Sequence, residues 1–193
     1  MEPFYELVAD TTRLGEQTIF LLDEFGGLPP KDPGRCESML NRHLLDRAKG
    51  SPAVHLPDVD VEDRDSEARR YGSVVSGGGL DLSLVGLGAN GHIGMNEPGA
   101  SSDSPTRVVE LAASTTLHAA EYGATASPTW GITIGMGSLL QSRELWLMVT
   151  GSHKAAILEQ MVNGPIGPAV PASYLRTHEN CLVLADESAA AQL

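Results

Sequence analysis

Between Gly86 and Gly99 the chain reads GLGANGHIGMNEPG. His92 stands there among five glycines and two asparagines, with a carboxylate, Glu97, five residues further on. An imidazole exchanges protons near neutral pH. A carboxylate folding back on it would hold one tautomer. Backbone N–H groups of such a loop can cradle an anion or an oxyanion, and glycine lets a ligand approach the main chain. Gly88 and Gly91 are the candidates for that contact. The same spacing also fits a loop histidine satisfied by a backbone carbonyl.

Two other stretches carry chemistry. In LLDEFGGL, Asp23 follows four apolar residues directly. Partial burial there would raise its pKa and make it a better base; a plain helix cap is the other reading. In VTGSHKAA, a strand, a Gly-Ser turn and a helix start form the kind of site where free N–H groups meet an anion. Lys154 lies in the first turn, where its charge opposes the helix macrodipole, which points to a reason other than stability. A surface lysine is the alternative. The glycines of SVVSGGGLD imitate a phosphate loop, but they precede a strand, whereas a phosphate cradle follows one. They are read as a helix stop.

These residues must be positioned by the elements around them. Helical spacing is expected over residues 3–14, closed by Gly15, and over RCESMLNRHLLDRA, with Met39, Leu40, His43 and Leu44 on one face. A strand is expected from Thr18 to Leu22, with Asp23 and Glu24 at its end. Further strands are AVHLPD, LDLSLV, TRVVEL, Leu145–Val149 and CLVLAD. Helices are expected in VEDRDSEARRYGSVVSGG and in SHKAAILEQMVNG, the latter with Ser152 as N-cap. TTLHAAEYGA suits one or two helical turns. Strands alternating with helices predict an α/β fold with a parallel sheet covered on both faces. In such folds the site lies beyond the carboxyl ends of the strands, where Asp23, the His92 loop and the Lys154 turn would converge.

Length and composition set the bounds. One domain, residues 1–193, with 21 glycines and few aromatics suits an α/β protein with tight loops. The net charge is −12 and no basic stripe is present, so nucleic acid is not an expected partner. No apolar run is long enough to span a bilayer and the N-terminus has no secretory pattern, so neither a membrane nor export is expected. Cys36 and Cys181 have no metal-like spacing and read as free thiols of a reducing, cytoplasmic compartment.

In order, LLDEFGGL, GLGANGHIGMNEPG, GITIGMGSLL, MVTGSHKA and PASYLRTHENCLVLAD make the chain resemble the glucosamine-6-phosphate deaminases (isomerases) and their galactosamine-6-phosphate relatives over almost its whole length. The resemblance implies a three-layer, mostly parallel, Rossmann-like sheet. It also implies a reaction without cofactor or metal: the amino sugar 6-phosphate is opened, isomerised from aldose to ketose, and loses ammonia. His92 matches the residue assisting ring opening and Asp23 the base that moves a proton between C2 and C1. Glu97 matches the carboxylate orienting the histidine, and Lys154 a lysine on the phosphate. The small-molecule amino sugar phosphate is the implied partner.

Three departures accompany the resemblance. Asn90 stands where many members carry Asp; it can accept a hydrogen bond from His92 but brings no charge, leaving more of that task to Glu97. The chain begins after the family's Gly-Gly-Thr phosphate loop, so its first strand–helix unit and a strand, roughly 30–45 residues, are expected to be absent. Loss of a central strand would expose apolar edges and favour self-association as a homo-oligomer. Glu121 falls where some relatives place a phosphate-contacting arginine, and of the residues used for allosteric activation only Arg107 is evident. A catalytically impaired sugar-phosphate-binding remnant, or a subunit completed by a partner, remains the alternative. A 6-phosphogluconolactonase is argued against by Asn96-Glu97-Pro98 and Asp23-Glu24-Phe25.

Overall fold

The computed structural model describes residues 2–193. Helix α1 (Glu2–Thr11) leads to strands β1 (Thr18–Phe20) and β2 (Asp23–Gly26). Helix α2 (Cys36–Leu40) runs on into a π-helical turn, Asn41–Leu45. Strand β3 (Ala53–His55) pairs in parallel with β1, and α3 (Arg64–Gly78) connects it to β4 (Leu82–Gly86). Then come β5 (Arg107–Glu110), α4 (Ala113–Glu121), β6 (Trp130–Thr133), α5 (Met136–Leu139) and β7 (Glu144–Val149). A 3-10 turn, Ser152–Lys154, opens α6 (Ala155–Asn163); a second, Pro171–Thr177, precedes β8 (Cys181–Ala185).

The fold is α/β, as the alternation of elements predicts. Its parallel strands form two groups, β1–β3 and β4–β7–β8, and no ladder joins them among the described residues. A third sheet, β2–β6–β5, is antiparallel throughout, which the alternation did not signal.

Period-2 patterning fixes the register of the β4–β7–β8 sheet. Val85, Leu145, Leu147 and Val149 point into the main core, with Tyr71 and Val75 of α3 and Leu158 and Met161 of α6. The opposite face carries Leu82, Leu84, Trp146, Met148, Leu182 and Leu184. Leu82, Leu182 and Leu184 are about two-fifths exposed there, at 45%, 44% and 39%. Helix α3 follows its sequence signals: the Asp63 carboxylate accepts from Ser66 N–H at 2.9 Å, and the helix stops at Gly79, whose φ is +69°. The glycines of SVVSGGGLD thus end a helix.

Three local expectations need correction. Asp23 does not close the first strand; it opens β2, opposite Thr133. The chain changes sheets between Leu21, whose N–H donates to His55 of β3, and Leu22, whose carbonyl accepts from Ile134. An uninterrupted apolar run hides that switch. Leu40 and Leu44 are buried as the helical face requires, but the helix widens into its π turn between them. Ser152 is not an N-cap: Gly151, at φ +94°, starts the 3-10 turn, and no side chain caps α6.

Candidate active site

The candidate residues lie where the two three-stranded sheets meet. His92 and Glu97 stand in the loop leaving β4, and Asp23 begins β2 of the antiparallel sheet. The joint between them is Asn96, fully buried. Its carboxamide N–H groups donate to the carbonyls of Ile93 and Ile134, both at 2.9 Å, and its oxygen accepts from Arg107 at 2.8 Å. The β4 loop is thereby tied to the end of β6 and the start of β5. Asn96 was read only as part of the family motif; its burial beside Glu97 is what shows its structural task.

His92 Nδ1 lies 3.3 Å from Glu97 Oε2, with both side chains mostly buried. The contact is an ion-pair distance and not a well-formed hydrogen bond. Glu97 is held from two further sides. Asn90 donates to Oε2 at 2.8 Å, and the buried Thr115 hydroxyl of α4 donates to Oε1. Burial pushes the Glu97 carboxyl up, but His92, Thr115 and Asn90 together outweigh it and pull its pKa down to about 2. Asn90 does not face the imidazole as anticipated: its Oδ1 accepts from the His92 backbone N–H at 3.2 Å, while its amide reaches Glu97. It shapes the loop and anchors the carboxylate.

The glycines act through space, not as donors. Gly88 N–H donates to the His92 carbonyl at 2.9 Å and Gly91 N–H to the Gly88 carbonyl at 3.0 Å, so neither is turned toward a ligand. A Cβ on Gly88 would lie 2.2 Å from His92 Cδ2, and one on Gly91, at φ +86°, would lie 2.7 Å from Val170 Cγ1. The imidazole therefore rests on the bare backbone of residue 88. Gly88→Ala is expected to displace the ring and to lower stability by about 1–3 kcal/mol, the usual effect of overpacking. Urea unfolding checks the stability, and a variant as stable as the wild type would contradict this packing.

Asp23 is partly buried. Burial lifts its pKa to about 6, against a hydrogen bond from Cys36 and the charge of His92, which pull the other way. Gly94, at φ +59°, lets the loop pass close to it: a Cβ there would stand 3.1 Å from Asp23 Oδ2. Lys154 ends the 3-10 turn after β7, beside β4 in register, so its turn and the His92 loop leave the sheet together. The N–H of Gly151 in that turn donates to the chain's own Asp186, at 3.0 Å from Oδ2, so this donor is not open to an external anion. A cleft of about 340 Å³ opens beside Glu97, lined also by Met95, Ser101, Ser104 and Arg107. The Glu121 side chain lies outside the described residues.

This arrangement, a protonatable imidazole with its carboxylate and a second, partly buried carboxylate across a rigid joint, suits proton transfer on a small polar molecule. Residues 1–184 match the family described as glucosamine-6-phosphate isomerases/6-phosphogluconolactonase, and the chain belongs to it. Within the family it is similar to the deaminases. A glucosamine-6-phosphate deaminase of Rhodopirellula baltica is 36% identical over all of this chain and 80% of its own length. One from Leuconostoc citreum is 37% identical over 99% of the chain and 83% of its own length. A solved monomeric glucosamine-6-phosphate deaminase superimposes over the whole chain with a TM-score of 0.93 at 32% identity, covering 83% of that protein. The 6-phosphogluconolactonase from Trypanosoma cruzi shares the fold, with a TM-score of 0.78 at 18% identity.

Proposed function

We propose that the chain is an amino-sugar-6-phosphate deaminase/isomerase acting on glucosamine 6-phosphate or its galactosamine epimer. The likeness to deaminases over its full length supports the reaction class. The observation that carries the mechanism is Asp23: a partly buried carboxyl with a pKa near 6, across the joint from His92. At neutral pH it is ionised yet basic enough to accept a proton.

In this reading His92, steadied by Glu97, passes a proton from the C1 hydroxyl to the ring oxygen, which opens the ring. Asp23 then takes the C2 proton and delivers it to C1. Between the two transfers the C1 oxygen takes up a proton, giving an enolamine, and as C1 is protonated the nitrogen gives up a proton; the resulting C2 imine is hydrolysed by water to the ketose 6-phosphate and ammonia. Lys154 is assigned to the phosphate as a cation at the strand ends, and Gly88 and Gly91 give the loop its shape around the sugar. Two free thiols, Cys36 and Cys181, support a reducing, cytoplasmic setting. No helix of the described residues is long and apolar enough to cross a membrane.

The test is ammonia release by the purified chain, given each sugar phosphate separately. Release from one epimer above the other is expected and names the substrate. Failure to release ammonia from either would count against an active deaminase and favour a binding role.

A further inference from the structure

Ser173 belongs to the stretch PASYLRTHEN, whose residues take no part in the chemistry assigned above. It lies in the 3-10 turn Pro171–Thr177 and is fully buried. A buried hydroxyl needs partners, and this one finds them on a single residue. Its oxygen accepts from the Gly167 N–H at 2.9 Å, and its proton is donated to the Gly167 carbonyl at 3.3 Å. Two backbone hydrogen bonds close the same turn, Val170 N–H to the Gly167 carbonyl at 3.2 Å and Ser173 N–H to the Val170 carbonyl at 2.8 Å. Pro168 and Pro171 restrict φ within it. Residues 167–173 thus form a short, stiff strap, fastened on itself by the Ser173 side chain.

The strap is hydrogen-bonded to both ends of the His92 loop. The Ala172 N–H donates to the Gly91 carbonyl at 2.9 Å, and the Gly99 N–H donates to the Pro168 carbonyl at 2.8 Å. Gly91 directly precedes His92, and Gly99 stands two residues past Glu97. Between these contacts Val170 packs on Gly91: a Cβ at residue 91 would lie 2.7 Å from Val170 Cγ1 and 3.4 Å from its Cα. The imidazole and its carboxylate therefore occupy an arc whose two feet stand on one strap. Their own contact, at 3.3 Å, does not fix their alignment by itself. Asn90 and Thr115 hold Glu97 from within the site, and the strap sets the frame in which His92 meets it.

We infer that Ser173 is a positioning residue of the reaction: by fastening the strap it fixes the two ends of the His92 loop, and with them the alignment of His92 with Glu97. The inference rests on the reading of His92 as a proton-transfer group. Buried and engaged with Gly167, the Ser173 hydroxyl acts through the backbone and not on the sugar. Its loss leaves the Gly167 N–H without its side-chain acceptor and frees the strap to open. A small displacement of an acid–base group is enough to slow a reaction severely.

Amide hydrogen exchange on the full chain reads the strap directly. In the wild type the N–H groups of Gly167, Ala172 and Gly99 are expected to be protected to a similar degree, since one opening releases all three. A Gly99 amide exchanging as fast as an unprotected loop amide overturns the inference, whether or not any variant folds. Ser173→Ala should speed exchange of the three together by about tenfold. It should also move the ¹⁵N resonances of the His92 ring and lower kcat for ammonia release by about tenfold, with KM little changed. Ser142→Ala removes another buried hydroxyl, one that lies 2.6 Å from that of Ser83, and should change none of these. An unmoved His92 ring or an unchanged kcat in Ser173→Ala, or an equal response in Ser142→Ala, overturns the inference. No ammonia release by the wild type would instead count against the deaminase reading, and the exchange rates and the ring spectrum would still decide the role of Ser173.

Discussion

Asp23→Asn is expected to stabilise the protein while removing its ammonia release. In the folded chain the Asp23 pKa is raised from 3.8 to about 6, burial being the main cause. Between those values the folded state binds a proton that the unfolded state has released. Stability from this group is therefore present in full below pH 3.8 and declines as pH rises through 6. An amide does not ionise, so the variant escapes the decline. The difference between variant and wild type should open above pH 4 and level off above pH 6, at an order of 1–3 kcal/mol. Glu97, pulled to about 2, has the opposite dependence, but it is common to both proteins and cancels. Urea unfolding at pH 4.5 and 7.5 measures the difference. A variant less stable at pH 7.5, or a difference that does not grow with pH, would refute the desolvated carboxylate. Because Asn cannot act as a base, turnover should fall by two to four orders of magnitude. A residue that costs stability and supplies reactivity is common at functional sites.

The other large effect is expected from His92. His92→Ala should lower kcat for ammonia release by roughly 10²–10⁴-fold, the usual contribution of a positioned acid–base group. KM should change little, because the imidazole sits on Gly88 and Glu97 and its task arises in the transition state. Steady-state kinetics decide this. Activity within threefold of wild type would remove His92 from the mechanism. A large rise in KM at unchanged kcat would make it a binding group instead.

The candidate residues were easier to read from the sequence than the connections between them. Asp23, His92 and Glu97 were legible because glycine, histidine and carboxylates at strand ends are rare enough to attract notice. The strands around them followed from alternating apolar residues, as in Leu145–Val149. The sheet switch at Leu22 was not legible, since an apolar residue serves either sheet equally well. Nor were the long-range partners. Thr115 reaches Glu97 across 18 residues and the Cys36 backbone N–H reaches the Glu24 carboxylate across 12, and neither pairing leaves a local pattern. The direction of Asn90 was half legible: its type promised a hydrogen bond, but only packing decided that its amide would face Glu97. The glycine N–H groups were misread for a related reason. A loop rich in glycine can bind an anion or simply close on itself, and the Gly88–His92 and Gly91–Gly88 hydrogen bonds take the second course.

Asn96 divides the molecule's capacity to adapt. Both hydrogens of its carboxamide and its oxygen are bound to backbone or arginine in a dry interior, so the crossing of the two sheets has little freedom to yield. A substrate of different shape cannot be accommodated there without breaking several buried hydrogen bonds together. On the proposed reading, a difference between sugars would be met at the rim, where Gly99, Ser101 and Glu110 border the cleft.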